Sequence, residues 1–145
     1  MTDLQMTKAL LSSYRHALIR TEAALDELYK LRKCRDQLTA YLSETPGVDK
    51  VPRSPVESAV ARIERVERII AEGVERLEAT ADRVRRIIDS VEDEPSRDLL
   101  TLRYLDGLRW EEIAVRLCYT YRHVTRLHGR ALRFAAEVIA RERCP

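Results

Sequence analysis

The stretch WEEIAVRLCYTYRHVTRLHGRALRFA, residues 110–135, contains two helix patterns separated by three residues that fit neither pattern. The first helix is predicted over WEEIAVRL, residues 110–117, because two glutamates in its first turn favour the positive end of a helix. Thr120 is a helix-capping residue type, so the second helix is expected to begin at Tyr121. Two helices joined by so short a turn are typical of a helix-turn-helix.

The second helix is predicted to have two different faces. Apolar residues recur along one face, as expected for a buried stripe: Val124, Leu127, Ala131, Phe134, Ala135 and Val138. The opposite face carries arginines and no acidic residue: Arg122, Arg126, Arg130 and Arg133. Exposed helix faces usually mix charges of both signs and gain ion pairs one turn apart. A row of like charges therefore indicates an anionic partner.

A further helix is predicted before this pair. It is expected to run from Pro95, and the acids before this proline, Asp93 and Glu94, are explained by helix capping. The helix should run to about Leu105, because Gly107 is placed to end it in the left-handed conformation. Residues 95–145 are therefore predicted to form a three-helix domain of the helix-turn-helix type.

Residues 1–94 show the heptad pattern of two long helices. In the first helix leucines recur every seven positions, the pattern shortens by one step after Leu28, and it continues to Leu42. In the second helix apolar residues recur at heptad positions from Val56 to Val91. Glycine and proline together number only nine in 145 residues, which excludes turn-rich β folds and favours an all-α protein.

The segment 43–55 holds three of the five prolines and is predicted to be the loop of a long antiparallel, coiled-coil-like helical hairpin. The second helix is expected to stop at the EDEP segment, which ends at Pro95. Beside its heptad positions lie Val66, Ile69 and Ile87, so the apolar stripe is wider than a two-helix seam requires. We expect the hairpin to form a homo-oligomer; the alternative is a lone hairpin folded back on the C-terminal domain.

Charge is unevenly distributed along the chain. The net charge at pH 7 is +2, yet residues 1–94 carry a net charge of −2 and residues 95–145 a net charge of +4. No apolar run exceeds three residues, so neither a transmembrane helix nor a secretory signal is expected. We therefore expect a cytoplasmic protein without membrane contact.

Cysteine and histidine spacing does not predict a metal site. The three cysteines include no CxxC pair, and Cys118, His123 and His128 lack the ligand-pair spacing of structural zinc. The sequence also contains no glycine-rich phosphate loop and no nucleophile motif. We expect no metal, no cofactor and no enzymatic activity.

The segment LLTLRYLDGLRWEEIAVRLCYTYRHVTRLHGRAL, residues 99–132, resembles the C-terminal domain of bacterial sigma factors that recognises the −35 promoter element. The match lies in the LRYLDGL lead-in, the EEIAVRL helix and the closing RAL. With the heptad-rich hairpin before it, the chain is similar to small phage and prophage sigma-like transcriptional regulators. The motif-bearing match covers about a third of the chain.

This resemblance implies a recognition helix over residues 121–135, which Thr120 caps. The exposed positions of its first turns face base edges in the sigma module, and here they are Tyr121, Arg122, Thr125 and Arg126. Arg130 and Arg133 lie farther along and suit phosphate contacts. The N-terminal end of such a helix enters the major groove, where arginine can bind O6 and N7 of guanine. His123 and His128 are expected to face solvent or phosphate.

The resemblance implies a sequence-specific double-stranded DNA-binding transcriptional regulator of phage or prophage type. A working sigma factor is not expected, because residues 1–94 are predicted to be coiled coil where a sigma factor has the domain that melts the −10 region. RNA polymerase is a further candidate partner. Two alternatives are a small-terminase-like DNA-packaging protein and a coiled-coil adaptor that binds RNA polymerase or another protein without DNA.

Overall fold

The computed structural model describes residues 2–44 and 54–144, and every regular element in these two ranges is helical. The prediction of an all-α fold is therefore confirmed. The elements are α1 (Asp3–Glu44), α2 (Ser54–Asp89), α3 (Glu94–Leu100) with a π-helical continuation (Thr101–Leu105), α4 (Trp110–Leu117) and α5 (Tyr121–Arg143). Most of the predicted loop at 43–55 lies outside the described residues.

The chain forms two compact units. The smaller unit is Leu18–Arg76, and the larger unit combines Met1–Ala17 with Leu77–Pro145. Both long helices thus contribute residues to each unit, whereas the sequence suggested a division at residue 94.

The smaller unit has a thin core between α1 and α2. Its buried residues are Leu28, Ile63 and Val66, with Leu31 and Ile70 packed against them. Glu67, a polar residue at an apolar heptad position, accepts a hydrogen bond from Arg32 at 3.0 Å across the two helices. Its place in the heptad pattern is therefore explained by an ion pair between the helices.

Gly73 marks a close approach of the two helices in the smaller unit. A Cβ atom at this position would lie 3.2 Å from the Thr21 hydroxyl, closer than ordinary van der Waals contact. Thr21 lies opposite Gly73, and Arg32 lies opposite Glu67. Residue numbers thus rise along α1 as they fall along α2, so these two segments run antiparallel.

The larger unit is built around a continuous apolar cluster to which all five helices contribute. The predicted stripe of α5 is confirmed: Val124, Leu127, Ala131, Ala135 and Val138 are buried, and Phe134 packs against the cluster. In α4, Ile113 and Ala114 are buried, and Trp110 and Leu117 pack at the edge of the cluster. The apolar side of α5 is thereby fixed against the core, and its opposite side is left exposed.

Helix α2 ends at Asp89, before the EDEP segment at which its end was predicted. The amide of Ser90 already bonds to the carbonyls of Arg86 and Ile87, and that of Val91 bonds to Ile88, which tightens the last turn. The Val91 side chain is buried in the core. The stop therefore comes earlier than predicted, and Ser90 and Val91 separate the end of α2 from the EDEP segment.

The start of α3 confirms the capping role predicted for Asp93. Its carboxylate accepts hydrogen bonds from the Ser96 amide (3.3 Å) and the Ser96 hydroxyl (2.5 Å). The helix then widens into the π-helical turn, and Gly107 follows with φ +72°, as the sequence predicted. The Arg15 guanidinium fills the space that a side chain at Gly107 would need.

The turn between α4 and α5 contains a left-handed residue that is not glycine. Cys118 has φ 57° and ψ 39°, and its amide bonds to the carbonyls of Ala114 and Val115. Tyr119 donates its amide to the carbonyl of Ala114 at 2.9 Å and completes the helix end. Glycine is the usual residue in such a position because a Cβ atom is disfavoured there.

Replacing Cys118 with glycine is expected to raise the free energy of unfolding by about 1 kcal/mol, because glycine removes the cost of a left-handed side chain. Cys34 offers a matched control, since it is exposed within α1. There glycine only weakens a helix, so Cys34→Gly should lower the free energy of unfolding by about 0.5 kcal/mol. Denaturant titration followed by circular dichroism measures both changes, and a Cys118→Gly variant less stable than the parent would contradict the prediction.

Candidate nucleic-acid interface

Helix α5 begins directly after the turn that follows α4, at the residue that the sequence predicted. Thr120 is extended, with φ −72° and ψ 155°, and its hydroxyl oxygen accepts the His123 amide at 3.1 Å. This hydrogen bond caps α5, whose first residue is Tyr121. The role of Thr120 as a cap is confirmed, and its hydroxyl is therefore already engaged within the protein.

All the residues proposed to contact DNA are exposed in the structure: Thr120, Tyr121, Arg122, Thr125, Arg126, Arg130 and Arg133. With 100° between successive helical residues, Arg122, Arg126 and Arg133 fall within about 40° of one another. They lie opposite the buried stripe of α5. The Thr125 hydroxyl donates to the carbonyl of Tyr121 at 3.1 Å, so this side chain lies against its own helix. The outer face is thus formed mainly by arginine.

Arg130 differs from the other three arginines. Its guanidinium donates to the Asp93 carboxylate at 2.9 Å and lies 5.8 Å from the centre of the Phe134 ring. Asp93 therefore caps α3 and also binds α5. The sequence indicated four arginines without an acid because the acid that pairs with Arg130 lies 37 positions away. No helical pattern reveals such a partner.

The remaining arginines of this face form no ion pair within the part of the chain that the structure describes. Within residues 2–44 and 54–144, no carboxylate lies within ion-pair distance of Arg122, Arg126 or Arg133. Elsewhere in the same ranges, Arg32 and Arg109 do pair with glutamates, at 3.0 and 2.7 Å. We call this outer row of Arg122, Arg126 and Arg133 the arginine row.

His128 is half-buried with its ring packed toward the core, so the expectation that it faces solvent or phosphate was wrong. Its Nε2 lies 2.7 Å from the Tyr104 hydroxyl in a shared hydrogen bond, and its ring is 4.5 Å from that of Trp110. Burial, with Lys8 and Arg103 nearby, lowers the pKa of His128 to about 4. Residue 128 follows Val124 by one helical turn, so the apolar periodicity could have placed it inward.

The same pocket of aromatic rings holds Arg103 and Tyr104. The Arg103 guanidinium lies 4.3 Å from the centre of the Trp110 ring and donates to the carbonyl of Leu108 at 2.9 Å. Burial raises the pKa of Tyr104 to about 12. These contacts connect the π-helical turn, α4 and the middle of α5. His128 therefore helps to pack α5 against α4 and the π-helical turn. Because its pKa is about 4, it adds no positive charge to α5 at neutral pH.

His123 is exposed, as expected, and contacts the ring of Tyr119 edge-on at 4.4 Å between ring centres. Among the described residues, no three histidine, cysteine or acidic side chains come together as a metal site. In the same part of the chain, no helix has both the length and the apolar character to cross a membrane.

Comparison with protein-family models, with curated proteins and with solved structures finds no match for this chain.

Proposed function

We propose that the protein is a sequence-specific double-stranded DNA-binding regulator of transcription, of phage or prophage type, and that α4 and α5 act as a helix-turn-helix. The observation that supports this most is the arginine row, which is exposed and has no carboxylate partner among the described residues. It lies on a capped helix whose other side is fixed in the core. Phosphates and guanine edges are groups that exposed arginine side chains bind well.

In this proposal the role of each arginine depends on its position along α5. Tyr121, Arg122 and Arg126 occupy the first turns, which enter the major groove in a helix-turn-helix and face base edges. Arg133 lies about 16 Å beyond Arg122 along the helix axis and binds phosphate in this proposal. Arg130 holds Asp93, so its main role is to position α5 on α3.

Arg126→Ala and Arg133→Ala are expected to weaken DNA binding in different ways. Loss of Arg126 removes a base contact and should lower the preference for the specific site over random duplex by about tenfold. Loss of Arg133 removes a phosphate contact, so affinity should fall alike for all duplexes and the salt dependence should become less steep. Fluorescence anisotropy titrations at several salt concentrations measure both effects. Equal behaviour of the two variants on specific and random duplexes would contradict the division of roles.

We further propose that the hairpin region, residues 1–94, brings two copies of the chain together. The smaller unit buries few apolar side chains, whereas several large ones are exposed, among them Ile19, Leu25, Tyr29 and Ile69. Of the three residues that widen the predicted stripe, Val66 and Ile87 are buried within the chain and only Ile69, at 53% exposed, is available. Ile19 and Tyr29 on α1 thus add surface for self-association beyond the heptad positions that the sequence indicated. A dimer would place two copies of α5 at successive major grooves, about 34 Å apart.

Selection of bound duplexes from a random library tests the proposed function directly. Recovery of one sequence, palindromic if the protein is a dimer, is the expected result. No enrichment even at low salt would overturn the proposal. A ring-forming stoichiometry in solution would favour the DNA-packaging alternative, and capture of RNA polymerase without DNA binding would favour the adaptor.

A further inference from the structure

The arginine row is interrupted by one residue without a side chain. Gly129 lies between Arg126 and Arg133, and with Arg122 these residues follow one another at spacings of four, three and four. At 100° per residue they fall within an arc of about 60° on the outer side of α5. Gly129 therefore leaves a gap in the line of arginines.

Nothing within the described chain requires glycine at this position. A Cβ atom at Gly129 would meet no other atom within 4 Å, and its φ is not in the left-handed region. The other described glycines differ in this respect: Gly107 has φ +72°, and Gly73 faces the Thr21 hydroxyl at 3.2 Å. Glycine inside a helix lowers stability relative to alanine. Gly129 thus weakens α5 without a packing or conformational reason among the residues that the structure describes.

The residues beside the gap fit a linear polyanion. Arg126 and Arg133 are exposed, are separated by about 10 Å along the helix axis, and have no carboxylate partner among residues 2–44 and 54–144. Two long cationic side chains with a bare helix backbone between them form a shallow saddle. One acidic side chain of a protein could be bound by a single arginine and would not need the gap, whereas a continuous phosphodiester strand would.

We propose that one phosphodiester strand of double-stranded DNA crosses α5 at Gly129, in contact with the helix backbone, with Arg126 on the groove side and Arg133 on the outer side. This inference rests on the proposed function. The proposed crossing point divides α5 into two parts. Residues before Gly129 lie in the major groove and can contact bases. Arg133 lies on the other side of the strand and binds its phosphates.

Gly129→Ala and Gly129→Gln test this crossing point. Affinity for the selected duplex is expected to fall by at least about tenfold with glutamine and by a smaller factor with alanine, because each side chain separates the strand from the helix. The loss should be equal on random duplexes, since backbone contact carries no sequence information. The alanine variant should melt at a higher temperature than the parent, so binding and stability change in opposite directions. Ala140→Gln, on the same outer line but three turns farther along, is the matched control and should bind within about twofold of the parent.

The outcomes separate this inference from the proposed function. If the parent protein binds DNA and a folded Gly129→Gln variant binds equally well, the crossing point is wrong and the proposed function is unaffected. A loss confined to the selected sequence would also overturn the inference, because Gly129 would then face bases. If glutamine disturbs the fold, as its melting curve would show, the alanine variant decides: unchanged affinity overturns the inference and reduced affinity supports it. Absence of any DNA binding by the parent would overturn the proposed function, and the inference with it.

Discussion

Reversing the charge of Arg122 and Arg126 together, as Arg122→Glu with Arg126→Glu, is expected to lower affinity for the selected duplex by about a thousandfold. Each arginine supplies a contact worth about 1–3 kcal/mol, and each introduced glutamate repels the nearby phosphates. A sum of about 4 kcal/mol corresponds to three powers of ten in the dissociation constant. Both side chains are exposed on α5, so folding should be preserved. Titration of labelled duplex at about 0.15 M salt measures the loss.

The last turn of the same helix provides the control for net charge. Arg141→Glu with Arg143→Glu changes the net charge from +2 to −2, as the first pair of substitutions does. Because these positions lie more than about 20 Å from Arg126 along the axis, the control should lose no more than about threefold. An equal loss in both double variants would mean that attraction to DNA is unspecific and that the first turns of α5 do not enter the groove.

Acidification from pH 7 to pH 4 is expected to lower the free energy of unfolding by about 2 kcal/mol through His128. The pKa of this residue is about 4 in the folded protein, against 6.5 for an ordinary histidine, because the ring is buried beside Tyr104 and Trp110 and near Lys8 and Arg103. The unfolded chain therefore binds a proton as the pH falls below 6.5, whereas the folded protein resists until about pH 4. The stabilising contribution of neutral His128 is therefore fully present above pH 6.5 and is lost as the pH falls toward 4. Such a shift corresponds to at most about 3 kcal/mol, and partial solvent access to the ring reduces this value.

Denaturant unfolding at a series of pH values measures this dependence. His128→Gln should remove most of the slope between pH 4 and 6.5, and His16→Gln, at an exposed position of α1, is the control for the substitution itself. Asp93 also contributes to acid sensitivity, since the Ser96 hydrogen bond lowers its pKa below the ordinary 3.8. Its stabilisation is present above pH 3.8 and is lost only below it, outside the window of His128. An unchanged slope in His128→Gln would contradict the assignment.

The features that the sequence predicted correctly depend on neighbours along the chain. Thr120 caps α5, Asp93 caps α3, and Gly107 adopts the left-handed conformation, each as residue type and position indicated. The apolar stripe of α5 is also periodic and therefore visible in the sequence. Helix caps and apolar periodicity were therefore enough to predict that the arginine row lies on an exposed helix face.

The features that were missed depend on residues distant in the chain. The pairing of Asp93 with Arg130 spans 37 positions, and the burial of Val91 depends on how the core closes. The polarity of His128 favours the surface, whereas its position one turn after Val124 favours the core side that its ring occupies. When a polar side chain has a partner within the fold, helical periodicity therefore predicts its burial better than its charge or polarity does.

The ion pair between Asp93 and Arg130 has a consequence for the small ions around the protein. An arginine with a carboxylate at 2.9 Å already has its anion within the molecule. In the proposed complex with DNA, Arg130 would exchange one anion for another, whereas Arg133, to which we assign a phosphate contact, would displace a cation condensed on the DNA. We therefore expect Arg130 to add less than Arg133 to the salt dependence of DNA binding, because its ion pair with Asp93 must first be broken.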